Sequence, residues 1–436
     1  MNNSIVDILD AQNWPFSLEW LPQPAYMVGG AVRDAILGRS REYLDLDFMI
    51  PDDAVKVARA IAKHYRAGFV LLDAERNIAR VVFPHATADF AQQEGDSLLT
   101  DLQRRDFTIN AIAYNPHTQE IIDPLQGCAD IEACLLRMIS PENLQDDPLR
   151  LMRAYRQAAQ LGFTIEPTTQ TTIRTLAADI NKVASERVRV EISYLLDSYQ
   201  GTPWLKSAWE DNLLASFFTN ANRESLEKLA AVDQAYNLIR ETYPQLGEEL
   251  QKPVRDTIKT TWLAIAKLAC LLHPNPEIAE IELQELTYSR AEIRGVTTSL
   301  RLFPQFKKAS YMSLREQYFL FQDVGVVFSA TTVLALADDL VVGAMSGDNS
   351  LCVYVPLIDR YLNPDDLVAH PSPLVSGKEV ILALNIPASP LVGKILSEIA
   401  IAQAEGKINT AQEALEFAKQ VTGDWGLGKK ILDFRF

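Results

Sequence analysis

Cysteine, histidine, long apolar runs and positive charge are all in short supply in this chain of 436 residues. The four cysteines, at 128, 134, 270 and 352, lack the paired spacings of a zinc site or a CxxC redox motif, and none of the five histidines has a partner at ligand spacing. Cys128 and Cys134 are therefore expected to be buried small apolar residues. The chain does not begin with a basic segment followed by an apolar one, so the cytoplasm is the expected compartment. No apolar run approaches the ~20 residues that span a bilayer. The longest candidate, residues 262–272, is short and carries Lys267, and no membrane partner is expected. With 41 Lys and Arg against 57 Asp and Glu, the net charge is −16, which argues against broad contact with phosphate backbones. Any nucleic-acid partner must meet a local basic surface. What is present is ordinary: 48% hydrophobic and 22% charged residues, enough chain for about two to four domains.

The chain falls into two styles. From Tyr26 to about Arg137, short β-rich runs (FVLLD, ARVVFP, NAIAY, EIID) alternate with helical stretches such as DDAVKVARAIAKHY. From about Pro141 onward the pattern is helical, with apolar residues at three and four spacing. Boundaries are expected near 138, 200 and 290. The polar GEELQKP and the proline-containing LLHPNPEI read as linkers. No internal repeat or low-complexity segment occurs.

Asp45 and Asp47 stand one residue apart in an otherwise apolar run, LDLDFMI. In a strand they project from one face, while Leu44, Leu46 and Phe48 point into the protein. A DxD alone most often marks an exposed edge strand, where two carboxylates cost little. The functional reading is a divalent metal site, whose hard oxygen ligands suit Mg²⁺ shared with substrate phosphates. The neighbourhood favours the second. Gly29 and Gly30 follow an apolar segment and precede the amphipathic AVRDAILG, so they sit at a strand-to-helix turn that lets backbone approach a phosphate, with Arg33 one turn further on. A phosphate cradle beside a carboxylate pair is what metal-dependent transfer from a nucleoside triphosphate requires.

These residues carry a resemblance. GGAVRDAILG followed by LDLD, then LQRRDFTINAIAY, IIDPLQGCADI, DDPLRLMRAYRQAAQLGF and SERVRVE, resembles in content and order the motifs of the tRNA nucleotidyltransferase and bacterial poly(A) polymerase family. A weaker similarity returns at PLVSGKEVILAL and IAQAEGKINTAQEALEFAK. The resemblance implies an α+β fold: a polymerase-β-like nucleotidyltransferase head with a mixed sheet over 1–138, then an all-α neck over 139–200, body over 201–290 and tRNA-binding tail over 291–436. It implies Mg²⁺ as cofactor, tRNA as acceptor, and CTP or ATP as donor with release of pyrophosphate.

Residue by residue, the resemblance makes Asp45 and Asp47 the metal-holding catalytic pair, with Asp89 the candidate third carboxylate. Gly29, Gly30, Arg33 and Arg105 match positions that meet the nucleotide. Standing alone, Arg104-Arg105-Asp106 would read as a salt-bridged helix start. Asp147-Pro148 reads as a helix N-cap with proline at the first helical position. Arg150, Arg153 and Arg156 then form one slanting stripe, ordinarily a solvated face. In the family this helix is the neck, where residues resembling Asp147 and Arg150 read the Watson–Crick edge of the incoming base, a carboxylate accepting and an arginine donating. Arg153 and Arg156 join them as candidate nucleotide contacts, and Arg39, Arg41, Arg187 and Arg189 add local positive charge. Asp146 stands where the family usually has glutamate.

One further departure bears on specificity. Only residues 90–100 separate Asp89 from Asp101, whereas relatives that add all of CCA carry a longer flexible loop there. The short form resembles enzymes that add CC and leave the final A to a relative. The run Leu271-Leu272-His273-Pro274 sits where some relatives carry an HD motif, and proline replaces the aspartate, so no such metal site is expected. Trp204, Trp209 and Trp262 are expected to pack helices of the body. Full CCA addition, A addition and poly(A) synthesis remain open, as do a small-molecule nucleotidyltransferase and a non-catalytic RNA-binding module. The helix at 146–163 argues against the small-molecule enzyme, the paired aspartates against the binding module, and the acidic pI of about 4.9 against poly(A) synthesis.

Overall fold

The computed structural model describes residues 8–39, 43–198, 200–256, 258–343 and 347–424; Arg41 lies outside them. The chain divides into two compact units, Met1–Ser216 and Phe217–Phe436.

The first unit is built on a seven-stranded sheet. In chain order its elements are β1 (Tyr26–Val28), α1 (Gly30–Ile36), β2 (Leu44–Ile50), α2 (Ala54–Tyr65), β3 (Gly68–Asp73), β4 (Ile78–Phe83), β5 (Ala86–Gln92), α3 (Leu98–Gln103), β6 (Ala113–Asn115) and β7 (Glu120–Ile122). The strand order is β3-β4-β5-β2-β1-β6-β7, with β2 and β5 parallel and the other neighbours antiparallel. β2 is therefore the central strand, which rules out an exposed edge as the reason for its two aspartates. On its other face Leu46 and Phe48 are buried, and Phe48 stacks on Phe90 with ring centroids 5.4 Å apart. Leu44, expected to point inward with them, is only half-buried at the strand's open end.

The helices α4 (Gly127–Glu132), α5 (Pro141–Asp146), α6 (Leu149–Leu161), α7 (Pro167–Leu176), α8 (Ser185–Asp197) and α9 (Gly201–Glu210) complete this unit. α6 buries Leu151, Ala154, Tyr155, Ala158 and Leu161, the apolar face its spacing predicts, and ends at Gly162 with φ of +73°. Trp204 on α9 packs edge-on against Tyr155 of α6, inside the first unit. Cys134 is exposed on the turn after α4 and Cys128 half-buried, not core residues as expected; turn geometry, with φ of +52° at Cys134, decides this.

The second unit is a helical assembly: α10 (Arg223–Thr242), α11 (Pro244–Leu250), α12 (Trp262–Leu271), α13 (Pro276–Glu285), α14 (Arg290–Phe306), α15 (Leu314–Val324), α16 (Phe328–Val342) and further helices to Asp424. GEELQKP and LLHPNPEI lie inside this unit, capping and joining packed helices, and are not linkers between units. Among the described residues one helical run, Leu314–Val342, is long and apolar enough by length and composition to cross a membrane. Within it residues 324–337 carry no charge, a longer uncharged apolar run than the 262–272 stretch, which carries Lys267. Its most apolar window is 67% buried, and α16 forms the centre against which α10, α12 and α14 pack.

Candidate active site

Sheet register brings the acidic residues together. Asp45 stands opposite Thr87 and Asp47 opposite Asp89 across the parallel β2–β5 pair, while Arg80 on β4 stands opposite Asp89. Two rungs result. In one, the Thr87 hydroxyl donates to Asp45 Oδ1 at 2.6 Å. In the other, Arg80 grips Asp89 with a fork, Nε to Oδ1 at 2.6 Å and Nη2 to Oδ2 at 2.7 Å. Burial and then the like charges of Asp45 and Asp89 push the Asp47 carboxyl up to about 7, against the pull of Arg105 and Arg80. Asp47 thus sits in a net negative field that the protein's own cations do not cancel.

The glycine turn closes on this face. Gly29 caps α1 with φ of +73° and ψ of −138°, a conformation that side chains disfavour. A Cβ there would lie 3.4 Å from Arg105 Nη1 and 3.7 Å from Asp47 Oδ2, so glycine leaves open the gap between them. A cleft of about 60 Å³ beside it is lined by Gly30, Ala31, Asp34, Arg39, Asp45 and Asp47. Arg33 is held by Asp34 at 2.7 Å and Asn110 at 2.7 Å, and Arg105 by Asp101 at 3.1 Å. The buried Arg105 Nε has no hydrogen-bond partner among the described residues. The RRD segment follows the end of α3 rather than starting a helix: Arg104 is the C-cap.

α5 and α6 together dock on this segment, α5 through Asn143 and α6 through Arg150. Asn143 Nδ2 donates to the carbonyls of Gln103 and Arg105, both at 2.7 Å, and Arg150 Nη1 donates to those of Arg104 and Asn143 at 2.9 and 2.8 Å. Three consecutive carbonyls of the loop carrying Arg105 are thereby collected. Arg153 forks onto the buried Asp106 at 3.0 and 2.8 Å. Arg156 pairs with Glu191 and lies over the Tyr194 ring. The stripe that looks solvated in sequence is thus occupied by protein partners. Asp147 caps α5 and meets Arg187 at 3.2 Å; α6 itself begins at Leu149, after Pro148, and Asp146 is exposed. Sequence reasoning passed over Arg80, Thr87 and Asn143. Alternation in ATADFA signals Thr87 beside Asp89, but nothing local pairs Arg80 or Asn143 with its target.

The donor set suits a hard divalent cation. Asp45 is exposed and Asp47 half-buried on one face, and bound positive charge would relieve the raised proton affinity of Asp47. Among the described residues no group of three His, Cys, Asp or Glu is disposed to enclose a metal ion, so two carboxylates would leave other coordination positions to water and substrate oxygens.

A mixed sheet carrying paired aspartates beside a Gly-Gly turn, followed by helices, is the polymerase-β-like nucleotidyltransferase fold. Residues 25–137 match the family model described as the poly A polymerase head domain, 162–224 that of a "Probable RNA and SrmB- binding site of polymerase A", and 256–418 that of tRNA nucleotidyltransferase domain 2. A CC-adding tRNA nucleotidyltransferase of Synechocystis sp. is 48% identical over 94% of this chain and 96% of its own. One of the same description from Geobacter sulfurreducens is 30% identical over 91% and 92%. In fold, the chain is similar to the Thermotoga maritima CCA-adding enzyme complexed with tRNA, with a TM-score of 0.66 and 20% identity over 91% of each chain. A CCA-adding enzyme solved with CTP gives 0.67 and 21% over 90% of each. The chain belongs to the tRNA nucleotidyltransferase family and is an enzyme.

Proposed function

We propose that this enzyme adds two cytidines to the 3′ end of tRNA, without a nucleic-acid template, and stops before the terminal A. The observation that carries the choice of CC is the connection between β5 and α3, residues 93–97, which is short and pinned. Glu94 N donates to Asp101 Oδ1 at 3.1 Å, Arg104 bridges Asp101 and Glu94 at 3.0 and 3.2 Å, and Gln93 Nε2 donates to the Gly95 carbonyl at 3.2 Å. A segment tied at both ends lacks the slack to remodel the base pocket from C to A. The relatives described as CC-adding support the same reading.

In this reading Asp45 and Asp47 hold Mg²⁺, which when bound would acidify the primer hydroxyl and neutralise triphosphate charge. The Gly29-Gly30 backbone, Arg33 and Arg105 receive the triphosphate, and the unpartnered Arg105 Nε offers a donor for it. Asp147 and Arg150 read the base; Arg150 keeps one nitrogen on the Arg104 carbonyl, so base reading and phosphate binding share one loop. Arg153 and Arg156 orient α6 through Asp106 and Glu191. Head, neck, body and tail are proposed to divide at 138, 200 and 290, with the tail meeting tRNA. A tRNA acceptor favours the cytoplasm as the compartment.

The test is extension of a tRNA transcript lacking CCA with Mg²⁺ and CTP, ATP or both, beside a transcript ending in CC. Two C residues and no A are expected. Completion of CCA would overturn the loop argument, A added only to the CC-ended transcript would make this the complementary enzyme, and long A tails would make it a poly(A) polymerase.

A further inference from the structure

Arg80 has no place in the reading above, yet it stands on the same rung as Asp47 and Asp89. Its guanidinium occupies both oxygens of Asp89, and Asp45 and Asp47 also attract it. The planar fork matches a carboxylate bidentately, so Asp89 is claimed in a geometry that a metal ion would have to break. Without Arg80 the face would lose a positive charge beside Asp45, Asp47 and Asp89, and Asp89 would be free to turn inward.

We propose that Arg80 sets the charge of the carboxylate face, holding Asp89 out of the inner coordination sphere of a divalent cation bound by Asp45 and Asp47. The site thereby favours a cation that retains waters and shares substrate phosphates over one that prefers many carboxylate ligands. Arg80 is a positioning residue in this scheme, acting through Asp89. The inference rests on reading Asp45 and Asp47 as the metal-binding pair.

The scheme makes an unusual prediction: removing a side chain tightens binding. Mn²⁺ binding to the whole protein, without tRNA or nucleotide, is followed by electron paramagnetic resonance and calorimetry. R80M and R80Q, each checked for folding by circular dichroism, should bind Mn²⁺ on the order of tenfold more tightly, since a nearby positive charge is lost. R80K, which keeps the charge, should stay near the parent affinity, and D89N placed in the R80M background should reverse the gain. A structural role alone would leave affinity unchanged or weaken it, and either result in folded R80M and R80Q overturns the inference. D45N/D47N separates the two readings. Loss of binding there, with no gain in R80M, overturns the role of Arg80 alone; Mn²⁺ binding that survives D45N/D47N overturns the metal pair and Arg80's role together.

Discussion

Two aspartates of the first unit, Asp47 in the sheet and Asp106 beneath the arginine helix, have opposite electrostatic surroundings. Burial alone would raise the proton affinity of Asp106, but Arg153, Asn110 and the Phe107 N–H hold its carboxyl down at about 2. Asp47 has no comparable set: burial, Asp45 and Asp89 outweigh Arg105 and Arg80 and push it up to about 7. A carboxylate fully served by the protein is part of the scaffold. One left in surplus negative field is poised for something that arrives with positive charge. The contrast sets a carboxylate answered by the protein beside one that is not, within one compact unit.

The comparison breaks if Asp47 proves replaceable. D47N should lower kcat for C addition by roughly 10³-fold or more, because an essential cation ligand stabilises several kcal/mol of transition-state charge. Single-turnover extension measures it, and wild-type rates in D47N would remove Asp47 from the chemistry. Next in size is Arg153. R153M leaves the buried charge of Asp106 without its main partner and should cost about 3–5 kcal/mol of stability. Urea unfolding reads this, and an unchanged midpoint would mean that Asn110 and Phe107 suffice.

The smallest effect sharpens the comparison through pH. Asp47 is raised from its ordinary 3.8 to about 7, so the folded chain keeps a proton that the unfolded chain has released across that window. Its contribution to stability therefore falls as pH rises from 3.8 to about 7. Asp106 has the opposite sign: its contribution is present above 3.8 and is lost as pH falls toward about 2. In metal-free buffer, wild type should lose melting temperature relative to D47N between pH 5 and pH 8. Parallel melting curves would show that Asp47 is not raised.

Much of this was legible in the sequence where the reasoning was local. The period of two in LDLDFMI put both aspartates on one face, and the glycines before AVRDAILG marked the strand-to-helix turn. The arginines of α6 were legible as a stripe but not as ligands of Asp106, Glu191 and the loop carbonyls, because those partners lie 35 to 47 residues away along the chain. Arg104-Arg105-Asp106 looked like a helix start because charge runs are common at either end of a helix.

The sequence by itself determined the family, the alternation that puts Asp45 and Asp47 on one face, the apolar face of α6 and the shortness of the connection after Asp89. Only the tertiary structure decided that β2 is central and that Arg80 claims Asp89. It also decided that Thr87 supports Asp45 and that Asn143 and Arg150 hold the loop of Arg105. The physical reason is that periodicity is written by each chain segment for itself, whereas the charge on a site is a sum over strands that meet only when the sheet is assembled.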